Sequence, residues 1–357
     1  MKKSWQIGGA FVGLIVGAGF ASGQEIMQYF TSFGLYGIAG GIVATIAFAF
    51  LGMNLAQLGA DSQTTSHKDV IYQIGGRYVG VILDIVITFF LFGVAVVMFA
   101  GSGSTFEQMF SINPMIGSIF MVIITIITLL LNVKNIINII ALVTPYLMGI
   151  IFIILIYSIF TRDLTIVQQN ALAKDQTSAA SNWIMGALLY VSYNIAAGAA
   201  MLIVMGGTVK ERKVAGLGGL LGGLMLGALI LLINIAMFVK IDVVDGVAMP
   251  TLELAKQIHP IVGVLMSIAL LGMMYNTAVG MLYAFTVRFI APDHKYFKLG
   301  IVVIGLIGFA ASLVGFTTLV GKVYSTMGYL GFALIIVIII SWLRKIPRAS
   351  FLKETGT

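Results

Sequence analysis

One short segment near the start of the chain combines small and polar residues in a pattern that indicates exposed backbone groups. It reads Gly17-Ala-Gly-Phe-Ala-Ser-Gly-Gln-Glu25. Glycine has a weak helix propensity, so the surrounding helix is predicted to break here. Freed N–H groups, here those from Gly19 to Gln24, suit a carboxylate, and freed carbonyls suit a cation or an ammonium group. The candidate substrate-binding residues are Gly17, Ala18, Gly19, Phe20, Ala21, Ser22, Gly23, Gln24 and Glu25.

A second polar cluster lies midway along the otherwise apolar run at 182–208. Small residues follow it directly, which again predicts a break in the helix. Aromatic walls favour an apolar or amphipathic ligand of modest size. The candidate substrate-binding side chains of this cluster are Tyr190, Ser192, Tyr193 and Asn194.

A third cluster contains hard oxygen ligands that suit an alkali cation. Asn276 and Thr277 lie between apolar runs, and their side-chain oxygens are of this kind. Together with the backbone carbonyls of Gly13 and Val16, they are a candidate sodium site. The alternative is that these side chains form ordinary hydrogen bonds between membrane helices.

Ionisable residues inside the apolar runs are few, and Glu25 is the deepest acid. An acid at that depth is a functional candidate, as a gate, as a partner for a cationic ligand group or as a proton carrier. The alternative is a hydrogen bond into the loops. Lys134 is either a topological anchor or a cation that makes coupling proton-based. The chain has no Cys, and its three His residues lie between the runs, so neither a thiolate site nor an intramembrane His site is expected.

Composition defines the elements that must hold these clusters. Of 357 residues, 60% are hydrophobic and only 9% are charged. A membrane-spanning helix needs roughly 20 apolar residues, so the chain is predicted to be an all-α polytopic membrane protein with ten spans. A soluble enzyme, a nucleic-acid-binding protein and a disordered chain are excluded. The predicted spans are 6–33, 35–60, 78–106, 114–133, 135–160, 182–208, 214–239, 260–288, 297–317 and 324–343.

The net charge of +7 has a topological explanation. Most Lys and Arg residues fall on the side of the membrane that holds the N-terminus, and basic loops stay in the cytoplasm. We therefore expect a multi-pass protein of the cell membrane with both termini cytoplasmic and a bilayer, rather than a nucleic acid, as its partner. The link at 240–259 is expected to form a short surface helix around 251–258.

The two predicted breaks fall in the first and the sixth of ten spans. Interrupted segments at matching positions of two halves are typical of secondary transporters. Because five spans is an odd number, the second half must run inverted, which gives a 5+5 inverted repeat. The whole chain, 1–357, is expected to be one transmembrane domain, with repeats at 6–160 and 182–343 and a short basic cytoplasmic tail at 344–357.

The segment from Gly17 to Glu25, placed after a short Lys-rich N-terminus, closely resembles the YkvI-like membrane proteins. That group is similar to a branch of the amino acid–polyamine–organocation superfamily, which has the LeuT fold. The resemblance implies ten core helices in a 5+5 inverted repeat, with substrate between broken helices 1 and 6. Gly17 and Gly19 match the G-x-G pattern of the first helix.

The same resemblance covers the other two clusters. The sixth-helix pattern of the superfamily corresponds to 190–194, and Asn194 stands where an acid is common there. In sodium-coupled members, the sodium site would correspond to the carbonyls of Gly13 and Val16, with the eighth-helix residues around Asn276 and Thr277. No cofactor is implied beyond a coupling ion, Na⁺ or H⁺.

The sequence thus predicts a cation-coupled secondary transporter for an amino acid or a small amine-bearing metabolite. Proton coupling in the same fold is one alternative, and a ligand sensor or a passive channel is another. Enzyme motifs such as G-x-S-x-G, a P-loop or H-E-x-x-H are missing, so no catalytic residues are expected.

Overall fold

The structure, a computed structural model, describes residues 2–63, 67–131, 143–209 and 211–343. Within these ranges it is built from helices and contains no strand. Seven of the described helices are long and apolar enough to cross a membrane: Leu35–Ser62, Asp84–Phe110, Pro114–Leu131, Trp183–Gly207, Arg212–Val239, Pro260–Phe289 and Phe316–Leu343. Gly149–Phe160 and Phe297–Ser312 are shorter apolar helices. The predicted position of Lys134 and the tail at 344–357 lie outside the described residues.

The first apolar segment is interrupted, as its glycines predict. Helix α1, Lys2–Ile15, is followed by the single turn α2, Ala18–Ala21, and then by α3, Gln24–Tyr29. Gly23 between α2 and α3 has φ 80°, a left-handed conformation that favours glycine. The segment ends in a 3₁₀ turn at Thr31–Phe33.

The remaining helices follow in chain order. They are α4 (Leu35–Ser62), α5 (His67–Phe110), α6 (Pro114–Leu131), α7 (Val143–Phe160), α8 (Ile166–Lys174), α9 (Trp183–Gly207), α10 (Arg212–Val239), α11 (Pro250–Ile258), α12 (Pro260–Phe289), α13 (Phe297–Ser312), α14 (Phe316–Leu319) and α15 (Ser325–Leu343). A π-helical segment, Val320–Tyr324, joins α14 to α15.

The prediction of an interruption in the sixth span is wrong, because α9 is one continuous helix. Two of its polar side chains are satisfied without any break in the backbone. The Asn194 amide donates to the Tyr190 carbonyl one turn earlier, at 3.0 Å, and the Ser192 hydroxyl donates to the Gly328 carbonyl of α15, at 2.7 Å. The first bond lies within the helix and the second joins it to a neighbouring helix, so neither side chain needs a break in the backbone.

The boundary between the ninth and tenth spans also differs from the prediction of 297–317 and 324–343. Gly315 has φ 97°, which is outside the helical region and is rarely adopted by residues other than glycine. The helix before it therefore ends, and the helical run of the last span begins at Phe316. The π segment begins at Val320, three residues after Thr317. π segments widen a helix locally and often occur at functional sites. The tenth span is therefore a candidate to contribute to such a site.

Glycines set the closest approach of the helices. A Cβ atom on Gly219 of α10 would overlap the carbonyl oxygen of Gly52 on α4, and a Cβ on Gly59 would overlap the carbonyl of Ile203 on α9. Small residues at such crossings let membrane helices approach backbone to backbone. Helices α4, α9 and α10 therefore form a tightly packed unit around α1.

The predicted short helix in the link at 240–259 is present as α11. It covers the second interruption of the first segment, since the Thr251 N–H donates to the Ser22 carbonyl at 3.0 Å and the Thr251 hydroxyl donates to the Ala21 carbonyl at 2.5 Å. Gln108 near the end of α5 donates to Glu253 of α11 at 3.0 Å. These bonds close one end of the bundle over the interrupted helix.

Candidate functional site

A cavity of about 1000 Å³ lies between the first segment and helices α5, α9 and α12. It reaches the π segment of the last span. Ten of the residues predicted from the sequence line it, from the candidate substrate and sodium sites alike: Gly13, Val16, Gly17, Ala18, Gly19, Glu25, Tyr193, Asn194, Asn276 and Thr277.

The other predicted residues lie outside the lining of this cavity: Phe20, Ala21, Ser22, Gly23, Gln24, Tyr190 and Ser192. Phe20 and Ala21 are fully buried in the apolar core. The Ser22 hydroxyl donates to the Gly19 carbonyl at 2.8 Å and accepts the Gln24 N–H at 3.2 Å, so it stabilises the turn between α2 and α3. Ser192 faces α15 through its bond to Gly328.

Glu25 closes the inner end of the cavity. Its side chain is buried, and its Oε2 accepts a hydrogen bond from the Tyr193 hydroxyl at 2.6 Å. The carboxyl group folds back over the interruption, because a Cβ atom on Gly19 would overlap Glu25 Oε1. Among the residues that the structure describes, no Lys, Arg or His forms an ion pair with it. A buried carboxylate needs a counter-charge or a proton, so this end of the cavity is suited to receive a cation.

Four tyrosines surround this carboxyl group, and we call them the tyrosine cluster: Tyr29, Tyr190, Tyr193 and Tyr324. The Tyr193 and Tyr324 rings are stacked, with centroids 5.0 Å apart and an interplanar angle of 26°. Both rings line the cavity, whereas the Tyr29 hydroxyl bonds Ser325 at 2.9 Å. The Tyr190 hydroxyl is buried and makes no hydrogen bond to a described residue.

The interruption leaves backbone carbonyls free at the end of α1. Among described residues, the carbonyl oxygens of Gly13, Leu14 and Val16 accept no backbone hydrogen bond. Gly17 donates instead to Ile15, at 2.7 Å. Free carbonyls at a helix C-terminus carry partial negative charge, so they can bind a cation.

Most of the N–H groups predicted to bind a carboxylate already donate hydrogen bonds within the segment, so that part of the prediction is wrong. The N–H groups of Ala21, Ser22 and Gly23 donate to carbonyls within the segment, and the Gln24 N–H donates to Ser22. Local turns satisfy them because the segment continues as short helices. Only the N–H groups of Gly19 and Phe20, in the stretch from 19 to 24, make no hydrogen bond to a described residue.

Asn276 and Thr277 line the α12 wall of the same cavity. Neither side chain makes a hydrogen bond to any residue that the structure describes, although a helical Thr commonly bonds the carbonyl one turn earlier. The structure therefore gives no support to the alternative that both serve interhelical hydrogen bonding. It brings these side chains and the carbonyl-bearing residues Gly13 and Val16 to one cavity.

The cavity opens at the end opposite to α11. Its lining there includes Gly9 of α1, Met201 of α9 and Arg288 of α12, all of which are exposed. Arg288 pairs with Asp84 of α5 at 3.6 Å and donates to the Thr88 hydroxyl at 2.9 Å. Residues of α5 closer to Gln108 are absent from the lining, so the cavity is closed towards α11.

The sequence missed two parts of this site. The apolar wall supplied by α5 consists of Val86, Ile87, Phe90, Leu91, Val94 and Met98. These residues look like any lipid-facing or core residues in a span. Tyr324 was missed as well. The sequence feature nearest to it is the pair of glycines, Gly315 and Gly321, which indicates an irregular start of the last helical run.

An interrupted first helix and a closed-ended cavity against three long apolar helices characterise this membrane protein. No family model matches the chain. Over 343 residues it is 25% identical to the uncharacterized membrane protein YkvI of Bacillus subtilis (strain 168), covering 92% of this chain and 93% of that one. The uncharacterized protein YyaD of the same organism is 34% identical over 97 residues, 27% of this chain and 28% of its own.

Solved structures agree on the fold. MhsT in complex with L-phenylalanine matches with a TM-score of 0.62 and 16% identity, covering 94% of this chain and 88% of that one. The inward-facing conformation of Mhp1 matches with a TM-score of 0.61 and 13% identity, covering 95% of this chain and 76% of that one. A manganese transporter of Eremococcus coleocola matches with a TM-score of 0.58 and 15% identity, covering 95% of this chain and 78% of that one.

The resemblance to YkvI-like membrane proteins is therefore confirmed, and the chain has the LeuT fold of these solved structures. It is a membrane protein with many apolar helices.

Proposed function

We propose that the chain is a cation-coupled secondary transporter that moves an amino acid or a small amine-bearing metabolite by alternating access. The observation that carries this proposal is the cavity, which is open at one end and stops at Glu25 and the interruption of the first helix. A channel would need a continuous polar path, whereas this cavity is closed by α11 and the tyrosine cluster. Broken membrane helices facing a site are a recurrent feature of secondary transporters.

The proposed architecture is ten spans in a 5+5 inverted repeat within one transmembrane domain. The described long and short apolar helices, together with the interrupted first segment, are compatible with that number. Spans 1, 2, 6 and 7 would then move against spans 3, 4, 8 and 9. The tight glycine contacts of α4 with α9 and α10 support the first group as a rigid unit.

The positive-inside rule gives the proposed orientation in the cell membrane. Lys2, Lys3 and Arg288 lie at the same end of the bundle as the cavity mouth, and basic residues mark the cytoplasmic side. Both termini would be cytoplasmic, and the structure would be the inward-open state. The closed end under α11 would then face the outside.

Uptake into proteoliposomes tests this function. Purified protein should accumulate a radiolabelled amine or amino acid against its gradient when a Na⁺ or H⁺ gradient is imposed, and should release the accumulated label when the gradient is dissipated. Saturable binding to the purified protein without uptake, under every gradient, would identify a ligand sensor instead.

The proposed coupling ion is Na⁺, bound by the Gly13 and Val16 carbonyls with Asn276 and Thr277. Replacing both side chains, Asn276→Ala with Thr277→Ala, is expected to reduce Na⁺ affinity at least about tenfold, or about 1.4 kcal/mol. The reason is the loss of two oxygen ligands from a site whose carbonyls alone remain. Thermal melting in Na⁺ against choline buffers measures it: the wild-type protein gains stability in Na⁺ and the double variant does not.

Thr326→Ala is the matched control, since the Thr326 hydroxyl bonds the Lys322 carbonyl on the exposed side of the last span. This variant should retain the Na⁺ response. An unchanged Na⁺ response in the double variant contradicts the sodium site. Uptake driven by a pH gradient without Na⁺ would then favour proton coupling through Glu25.

A further inference from the structure

We propose that the inner end of the cavity is an ammonium-binding subsite formed by Glu25, Tyr193 and Tyr324, and that the substrate is a small organic amine without a carboxylate. This inference rests on the proposed transport function and narrows it. Of the two substrate classes considered above, it selects the amines over the zwitterionic amino acids.

The first argument is that a carboxylate of the protein already occupies the place where a substrate carboxylate would bind. Only Gly19 and Phe20 retain free N–H groups in the stretch from 19 to 24. The Glu25 carboxyl group lies directly against Gly19, close enough that a Cβ there would overlap it. Two carboxylates held close together repel each other, and they do so more strongly in a dry interior than near a protein surface. A zwitterion would therefore be penalised at its negative end.

The second argument is the way Glu25 is held. Tyr193 donates to Oε2 at 2.6 Å, and no described base pairs with the carboxyl group. Glu25 is part of the cavity lining, so its carboxyl group faces a ligand there. An ammonium group donates up to three hydrogen bonds and carries the opposite charge, which suits this carboxyl group.

The aromatic rings provide the third argument. Tyr193 and Tyr324 line the cavity beside Glu25. A desolvated cation is attracted by the negative face of a tyrosine ring. Tyr324 belongs to the π segment Val320–Tyr324, so the last span contributes this wall through a local departure from α-helix.

The charged side chains of the described lining lie at opposite ends of the cavity. The only base there is Arg288, which is at the open end and already paired with Asp84. The inner end therefore offers the Glu25 carboxyl group and two rings to a cationic ligand, and it offers no cation to an anion.

Two pairs of probes that differ only by a carboxylate test the subsite: phenethylamine with L-phenylalanine, and butylamine with L-norvaline. Binding is measured by titration calorimetry on the full chain in lipid nanodiscs. We expect each amine to bind at least tenfold more tightly than its matched amino acid. Glu25→Gln should weaken amine binding at least tenfold and reduce the difference within each pair.

Two variants of Tyr324 and one control variant separate a binding role from a structural one. Tyr324→Phe keeps the ring and should retain amine binding within about threefold, whereas Tyr324→Leu removes the ring and should weaken binding about tenfold or more, in line with the loss of one cation–π contact. Glu107→Gln changes an exposed acid at the far end of α5 and should leave binding unchanged. Circular dichroism and thermal melting establish that each variant is folded.

The outcomes distinguish this inference from the transport function. Equal or tighter binding of the amino acids, or no binding of any of the four probes to folded protein, overturns the subsite and leaves transport to be decided by uptake. Amine binding that depends on Glu25, in a protein that never moves the amine across a membrane, supports the subsite and contradicts the transport function.

Discussion

Gly19→Ala is expected to reduce substrate uptake by about 10- to 100-fold while the protein remains folded, because a misplaced group at a binding site costs on this order. The added methyl group would occupy the position of Glu25 Oε1, so the carboxyl group must move away from Gly19 and from the Tyr193 hydroxyl. The clash involves the end of a flexible side chain, so folding should be little affected. Uptake into proteoliposomes and thermal melting measure the two effects.

Gly149→Ala is the matched control for this variant. Gly149 is an exposed glycine of α7, and a Cβ there meets no atom within 4 Å. Uptake by this variant should equal that of the wild-type protein. Normal uptake by Gly19→Ala would show that transport does not need Glu25 in its observed position. The assignment of the inner end of the cavity as the substrate-binding end would then be wrong.

Gly219→Val should destabilise the protein by about 3 kcal/mol or more, at the upper end of the range for overpacking substitutions. Its Cβ would overlap the carbonyl oxygen of Gly52, so the backbones of α4 and α10 would have to separate. No side-chain rotation relieves a contact between two backbones. Unfolding in detergent mixtures, followed by tryptophan fluorescence or by size-exclusion chromatography after heating, gives the change in stability.

For this effect Gly149→Val is the comparison, since it adds the same side chain to a helix where nothing is in contact. It should unfold within about 1 kcal/mol of the wild-type protein, as surface substitutions usually do. Equal stability of the two variants would contradict the close crossing of α4 and α10.

The first interruption and the continuous α9 show what the sequence can and cannot specify. Three glycines within seven residues weaken a helix whatever surrounds them, so the break near Gly17 follows from the chain alone. In α9 the polar side chains could either break the helix or bond within it. In the structure Asn194 bonds within the helix and Ser192 bonds Gly328 of the last span. A contact between residues so distant in the chain is invisible to local patterns.

The candidate site was predictable to the extent that its residues are polar. Glu25, Tyr193, Asn194, Asn276 and Thr277 are prominent in apolar spans, and the structure places them on one cavity. Ser192 precedes Tyr193 by about 100° around a helix, which turns it away from that wall. Tyr324 is far from the other residues in sequence, and only the packing of the last span brings it to Tyr193.

The central claim is that the Glu25 end of the cavity is reached from one side of the membrane at a time. The chain has no Cys, so single cysteines can be labelled without background. Ala200→Cys reports on the open cavity, and Thr317→Cys reports on the region beyond Tyr324. Without substrate, a membrane-impermeant maleimide should label Ala200→Cys from the cytoplasmic side alone. With substrate and the coupling ion, that labelling should fall and labelling of Thr317→Cys from the outside should rise. Labelling of both positions from their two sides in a single condition, or labelling that substrate never changes, would contradict alternating access.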